Sequence, residues 1–182
     1  MHFSTMKNAG LVAMAALAIP GVNACLSEYQ ANALATNFGK LVSAYSQKLA
    51  NQTLAPGFID YSESVNSLMD GGGSAPVALL GETFSSRAAF ESASASQPSV
   101  PFAVENVWFN CDTITVRWKS AQSPQPVIGI SVFHTVYKWA NKPVPFLIDE
   151  IWGEFDSASW LENLGILVPA SKKQKREIAF EA

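Results

Sequence analysis

The chain has 182 residues, of which 48% are hydrophobic and 15% charged, and its formal net charge is −3. This length fits one ordinary domain with a sizeable core. The acidic balance argues against nucleic acid as a partner, because phosphate binding is driven by clustered Lys and Arg. The sequence contains no phosphate loop, dinucleotide fingerprint, serine-hydrolase elbow or Cys-x-x-Cys motif. Two histidines in all are too few for a histidine-rich zinc site, so we expect no metal and no cofactor.

The first 24 residues have the three parts of a secretory signal peptide. Lys7 precedes an apolar run from Ala9 to Ile19, a Pro-Gly break follows, and residues 22–24 provide a cleavage site. The run is shorter than the roughly 20 residues that a membrane span needs. We therefore expect a secreted, extracellular protein that begins at Cys25 and is not stably inserted in a membrane. The alternative is a buried N-terminal helix.

Two features agree with an extracellular location. Cys25 and Cys111 are the only cysteines, and an even count in an oxidising compartment favours a disulfide. Two free thiols, or a lipid anchor on Cys25, are the alternatives. Asn51-Gln52-Thr53 is an N-glycosylation sequon on a predicted surface turn, so Asn51 is a candidate glycan site if the source is eukaryotic.

The first half of the chain has helical spacing. Apolar residues from Leu26 to Leu49 recur three and four apart, and Ser27 with Gln30 forms a capping box, which together predict one long amphipathic helix. A Pro-Gly break then precedes a short helical segment at 58–69. The Gly-rich run at 71–73 predicts a loop, and a further helix is predicted at 85–96.

The second half is rich in β-branched and aromatic residues that alternate with a period of two. This predicts strands at 103–110, 113–119, 127–139 and 145–155. A short helix capped by Asp156 or Ser157 follows and ends at Gly165. Residues 169–182 read as a polar basic tail that is expected to be disordered. Helices followed by a run of strands predict an α+β fold, with the helices packed on one face of an antiparallel sheet.

This order of elements resembles the nuclear transport factor 2-like superfamily, whose members form a cone-shaped α+β barrel. The amino-acid sequence is similar to that of secreted fungal members in three stretches: residues 83–90, Gln97-Pro98, and residues 148–155 followed by Trp160-Leu161. The resemblance implies one domain at 25–168 with a strongly curved sheet around an apolar pocket. Relatives include SnoaL-like cyclases, ketosteroid isomerase and scytalone dehydratase. It also implies that the outer sheet face, where Trp139 and Trp152 are expected, could form a homodimer.

The phase of the predicted strands selects side chains that could point into this pocket. On the strand at 127–139 the apolar residues Ile130 and Val132 share a face with His134. On the strand at 145–155 Asp149 shares a face with Ile151, and on 113–119 Trp118 points inward while Arg117 points outward. A histidine beside a carboxylate is common equipment for proton transfer, so His134 and Asp149 are candidate catalytic residues. A core histidine and a carboxylate bound to the backbone are the alternatives.

The resemblance adds Asp60 and Tyr61. In ketosteroid isomerase and scytalone dehydratase, functional Asp or Tyr residues come from the helical half and face the sheet across the pocket. Asp60 and Tyr61 have a comparable place in the order of elements, although no local motif matches. The alternative for Asp60 is a helix N-cap before Ser62-Glu63.

Taken together, the sequence predicts a secreted protein that binds a small apolar ligand, in a pocket lined by Trp118, Ile130 and Val132. If it is catalytic, the resemblance implies cofactor-free dehydration, isomerisation or cyclisation of a polyketide- or terpenoid-like metabolite. His134 would exchange the proton, Asp149 would orient His134, and Asp60 or Tyr61 would polarise the substrate. The alternative is a non-catalytic effector or surface protein that uses the fold as a binding scaffold.

Overall fold

The computed structural model describes residues 24–70 and 80–167. Residues 1–23 of the predicted signal peptide, the Gly-rich run and the basic tail lie outside this part of the chain. The elements in chain order are α1 (Glu28–Ser43), α2 (Gln47–Thr53), β1 (Leu54–Tyr61), α3 (Glu63–Asp70), α4 (Arg87–Ser96), β2 (Ala103–Phe109), β3 (Thr113–Ser120), β4 (Val127–Tyr137), β5 (Phe146–Phe155) and α5 (Ser157–Asn163). No helix among the described residues has the length and apolar character needed to span a bilayer.

The five strands form one sheet in the order β1-β5-β4-β3-β2. Strands β2 to β5 pair with their neighbours antiparallel, as short connections between successive strands require. Strand β1 joins the outer edge of β5 in the parallel direction. The predicted α+β architecture, with helices packed on one face of the sheet, is therefore confirmed. Strand β1 makes the sheet mixed.

The predicted helix from Leu26 to Leu49 is two helices. The capping box of Ser27 and Gln30 opens α1 as predicted, with Ser27 N–H donating to Gln30 Oε1 at 2.9 Å. The chain leaves helical geometry at Ala44, and Ser46 then caps α2 by accepting from Leu49 N–H. The apolar periodicity continues through this corner because both helices bury residues against the same sheet, so periodicity alone does not show the break.

Strand β1 corrects the helix predicted at 58–69. Its register shifts between Leu54 and Ile59, around Pro56 and Gly57. Proline cannot donate to a ladder and is tolerated in edge strands and at such irregularities. The helical part of the prediction begins later, at Glu63, where the Ser62 hydroxyl accepts from Val65 N–H at 3.0 Å. Ser62, and not Asp60, therefore supplies the side-chain cap of α3, and Asp60 is left free for another role.

The core lies between the inner face of the sheet and helices α1, α2 and α4. Its largest fully buried side chains include Leu34, Phe58, Ile114 and Phe133. On β3 the inward residues are Ile114, Val116 and Trp118, as predicted. On β4 the buried positions run from Val127 through 129, 131 and 133 to Thr135, which is the opposite phase from the prediction.

A disulfide joins Cys25 to Cys111 and fixes the start of α1 to the turn between β2 and β3. Leu26 N–H donates to the Cys111 carbonyl at 2.9 Å beside it. The two cysteines are 86 residues apart, so the loop-entropy contribution of the bridge is on the order of 4 kcal/mol. Asn51 is exposed, but it lies within α2 and not on the predicted turn, and Thr53 of its sequon is fully buried. Glycosylation of Asn51 stays a prediction.

Candidate active site

A cavity of about 510 Å³ lies between the inner face of the sheet and the helices. Helices α1, α3, α4 and α5, strands β1, β3, β4 and β5, and the segment from Gln97 to Phe102 contribute to its walls. The lining is mostly apolar, with seven aromatic side chains: Phe38, Phe84, Phe90, Phe102, Trp118, Phe155 and Trp160. Such a shape and lining suit a small apolar molecule.

Among the described residues that line this cavity, Asp60 is the only one with an acidic side chain. It lies near the end of β1, opposite Ile151 of β5, and only 7% of its surface is exposed. No hydrogen bond to its carboxyl group is formed within the described part of the chain. Burial, together with the negative charge of Glu154, raises the pKa of Asp60 from 3.8 to about 7.

The backbone around Asp60 is held on both sides. Its N–H donates to the Phe84 carbonyl at 2.9 Å, and its own carbonyl accepts from Thr83 and Phe84. The next inward residue, Ser62, donates its N–H to Thr83 Oγ1 at 2.8 Å, and that hydroxyl returns a bond to the Ser62 carbonyl. The carboxyl group is therefore placed by a rigid backbone and accepts no hydrogen bond from residues 24–70 or 80–167, which leaves it available to a ligand.

The opposite wall is built by Trp118 and Ser131. The indole N–H of Trp118 donates to Ser131 Oγ at 3.0 Å, which fixes the ring across β3 and β4. Gly129 makes this arrangement possible, because a Cβ at that position would overlap the Trp118 ring and lie 2.8 Å from Phe155 Cβ. Trp118 also stacks on Phe102, with ring centroids 4.8 Å apart.

The only charged side chain among the described lining residues is acidic. The polar side chains of the lining, besides Asp60, are neutral serines and glutamines such as Ser62, Ser131 and Gln122, and no described lining residue is Lys, Arg or His. A buried anion on a ligand would find no cation among these described lining residues to compensate it. The cavity therefore favours uncharged ligands. Within residues 24–70 and 80–167 no cluster of His, Cys, Asp and Glu could hold a metal ion.

His134 and Asp149 meet, but not in the cavity. His134 Nδ1 lies 2.7 Å from Asp149 Oδ1, and both side chains are part-exposed on the outer side of the sheet. The predicted inward orientation of His134 is wrong because the even-numbered residues of β4 face outward. Asp149 reaches His134 because the register of β4 and β5 shifts between His134 and Thr135, where Asp149 has no partner of its own in the ladder.

The other candidates divide between the two faces. Trp118 lines the cavity as predicted, whereas Ile130 is 51% exposed and shares the outer face with Val132, so neither can line it. Tyr61 also faces outward, where its ring stacks on Trp152 at 6.0 Å. Of the four candidate catalytic residues, only Asp60 is in the cavity.

Sequence reasoning missed Ser62 and Ser131. The signal for Ser131 lies in the alternation of Val127, Gly129, Ser131 and Phe133, in which small residues leave room for the large ring of Trp118. Choosing the more apolar side of β4 as the buried side hid this pattern. Ser62 was hidden by the missed strand β1, since its place beside Asp60 follows from the end of that strand.

Comparison with solved structures supports the same architecture. IdmH from Streptomyces antibioticus, a candidate polyketide cyclase, aligns with a TM-score of 0.50 and 12% identity over 75% of this chain and 99% of its own. A candidate ketosteroid isomerase from Kribbella flavida aligns with a TM-score of 0.50 and 12% identity over 84% of this chain and 93% of its own.

A third structure, from Catenulispora acidiphila, has a ketosteroid isomerase-like fold and was solved with trimethylamine. It aligns with a TM-score of 0.50 and 11% identity over 72% of this chain and 92% of its own. At these identities the similarity establishes the fold alone. The sequence matches no curated protein.

The sequence itself carries the family assignment. A protein-family model of the NTF2-like domain matches residues 24–167, a range that includes every residue that the structure describes. The chain belongs to the nuclear transport factor 2-like (NTF2-like) family.

Proposed function

We propose that this protein catalyses cofactor-free proton transfer on a small, uncharged, apolar metabolite, with Asp60 as the general acid–base. The observation that carries the proposal is the carboxyl group of Asp60 in an apolar cavity of about 510 Å³, where no other described lining residue is acidic and none donates a hydrogen bond to it. A general base works best when its pKa is near the working pH, and the pKa of Asp60 is raised to about 7. At neutral pH both its protonated and ionised forms are therefore populated.

The class of reaction follows from what the cavity offers. A carboxylate can remove a proton from a carbon beside a carbonyl group and return it at another position. Neutral hydroxyl and amide groups such as those of Ser62 and Gln122 can bind the carbonyl oxygen without neutralising Asp60. In a polyketide- or terpenoid-like metabolite that carries a carbonyl group, enolate-type isomerisation, loss of a β-hydroxyl group as water and aldol-type cyclisation each begin with such a step. The solved structures described as a cyclase and an isomerase agree with this class.

A pair of probes tests the binding half of the proposal. We expect 2-naphthol to bind and to shift the amide NMR signals of Asp60, Trp118 and Ser131, because its rings fit the apolar lining. At a pH near 8 we expect 2-naphthoate to bind at least about tenfold more weakly, since its charge would be buried beside an ionised Asp60 and no described lining residue is a cation. Titrations followed by NMR measure both affinities.

Two variants separate the cavity from the outer face. Val65→Trp fills the cavity from α3 and should abolish the binding of 2-naphthol, whereas Ile130→Arg changes the outer face and should leave it unchanged. Equal affinity for the two probes, or shifts confined to the outer face, would contradict the proposal.

We further propose that the protein is secreted. The signal-peptide pattern of residues 1–24 supports this, and so does the pairing of Cys25 with Cys111, because disulfides persist in oxidising compartments. The first residue of the protein recovered from the medium of its source tests the proposal. A start at Cys25 supports it, and retention of the protein inside the cell contradicts it.

The outer sheet face favours a second candidate role, as a surface for a second copy of the chain. Ile128 and Ile130 of β4 are exposed on it, with Trp152 and Trp108 on either side. Basic residues lie on β3 beside this stripe (Arg117 and Lys119), and acidic residues lie on β5 (Glu150 and Glu154). A two-fold axis along β4 would place the bases of one copy over the acids of the other. A dimer mass in solution would support this role, and a monomer mass would contradict it.

A further inference from the structure

Among the described residues, the carboxylate of Glu154 on β5 accepts three hydrogen bonds from one turn of a helix. Glu154 takes no direct part in the proposed reaction. Its Oε1 accepts from Glu63 N–H at 2.9 Å, and its Oε2 accepts from Ser64 N–H at 2.9 Å and from the Ser64 hydroxyl at 2.5 Å. Ser64 Oγ also accepts from Phe155 N–H at 3.0 Å. The first turn of α3 is thereby bound to the end of β5.

These contacts lie close to Asp60 along the chain and across the sheet. Strands β1 and β5 run parallel, with Asp60 opposite Ile151 and Tyr61 opposite Trp152. Glu154 therefore lies at the level where the chain has just left β1, and it holds Glu63 and Ser64, which follow Asp60 by three and four residues. The same turn leads into the part of α3 that lines the cavity with Val65, Leu68 and Met69.

We infer that Glu154 is a positioning residue for Asp60: it clamps the turn that follows β1 and places a fixed negative charge near the cavity acid. The clamp holds the carboxyl group of Asp60 at the cavity wall, and the charge favours its protonated form. Both effects act through Asp60, because Glu154 is outside the cavity lining.

Other charged groups lie near this part of β1. They are Glu63 of α3, Glu82 before the bridge at Phe84, Arg87 and Glu91 of α4, and Glu150 of β5. Arg87 is engaged with Glu91 and with the Leu54 carbonyl, at the other end of β1. Glu63 Oε1 accepts from Leu80 N–H. Burial is the larger cause of the raised pKa of Asp60, and the charge that adds to it is that of Glu154 and not that of any of these other groups.

The test is a titration of Asp60 by carbon NMR of its labelled carboxyl group, with Asp60→Asn used to assign the signal. In Glu154→Gln we expect the pKa of Asp60 to fall below that of the wild type and to stay above 3.8, because the burial remains. Gln keeps one oxygen, which can still accept from Ser64 N–H, so hydrogen exchange of the Ser64 amide should stay slow, whereas the Glu63 amide loses its acceptor and should exchange faster. In Glu154→Ala the exchange of both amides should become faster.

Glu150→Gln is the matched control, since it removes a charge from the same strand without contact to α3. An unchanged titration of Asp60 in Glu154→Gln, or an equal shift in Glu150→Gln, would overturn the inference. The inference rests on the proposed acid–base role of Asp60, but the titration needs no substrate. A protein without turnover would contradict the proposed function and leave the titration result standing.

Discussion

Asp60→Asn lowers the rate of proton exchange on a bound enolisable ketone by about 10²- to 10⁴-fold. The expectation follows from the position of Asp60 as the acid of the cavity and from the absence of a hydrogen bond to its carboxyl group in the described part of the chain. Asn keeps the size and shape of the side chain but cannot take up a proton. The measurement is deuterium incorporation from D₂O into 2-tetralone, an uncharged bicyclic ketone, followed by mass spectrometry.

His134→Gln provides the control for this experiment. His134 pairs with Asp149 on the outer side of the sheet, so its loss should change the exchange rate by less than about twofold. A full loss of exchange in His134→Gln with normal exchange in Asp60→Asn would contradict the assignment of Asp60 and return the chemistry to the histidine. The wild-type rate should follow the ionisation of a group with a pKa of about 7.

Asp60→Asn should also make the folded protein more stable at alkaline pH. The pKa of Asp60 is about 7 in the folded protein and 3.8 without its surroundings, so the folded state favours the protonated form. The stability linked to this proton is fully present below pH 3.8 and is lost as the pH rises through 7. The difference between these two pKa values corresponds to a loss of on the order of 4 kcal/mol in the free energy of unfolding. Asn cannot ionise and avoids this loss.

Urea unfolding of the two proteins at several pH values measures the effect. Their free energies of unfolding should be similar near pH 4, should diverge in favour of Asp60→Asn as the pH rises to about 7, and should then differ by a constant amount. Asp156→Asn is a control with the opposite sign, because hydrogen bonds from Ser159 lower the pKa of Asp156. It should lose stability at neutral pH and not at low pH. A pH-independent difference between wild type and Asp60→Asn would show that Asp60 is not buried as described.

The parts of the fold that could be predicted from sequence are those in which local and tertiary preferences agree. The capping box of Ser27, the alternation of Ile114, Val116 and Trp118, and the cap at Asp156 all specify the observed geometry without help from distant residues. The disulfide was predicted from the number of cysteines alone. These features established the α+β class and the order of most elements.

The errors arise where a distant contact decides the structure. Residues 54–61 form a strand only because β5 offers an edge, and Pro56-Gly57 conceals it in the sequence. The outer face of β4 is more apolar than its inner face, since Gly129 and Ser131 make room for Trp118. A rule that buries the more apolar face therefore fails on this strand.

The contrast between local patterns and distant contacts also explains which residues of the candidate site could be predicted from the sequence. Asp60 was selected from its place in the order of elements, and the structure puts it in the cavity. His134 and Asp149 were selected as a pair, and they do form a pair, but a shift in register and the phase of β4 place them outside. The role of Glu154 depends on three contacts with residues about 90 positions earlier, which no local pattern reports.

Native mass spectrometry of the protein recovered from its own source tests the central claim most directly. The account predicts a small, uncharged molecule that stays bound under gentle ionisation and is lost on mild denaturation or in Val65→Trp. Identification of that molecule would supply the substrate for the Asp60 and Glu154 variants. A protein that carries no ligand, together with failure of 2-naphthol to bind, would contradict the claim that the cavity around Asp60 is the functional site.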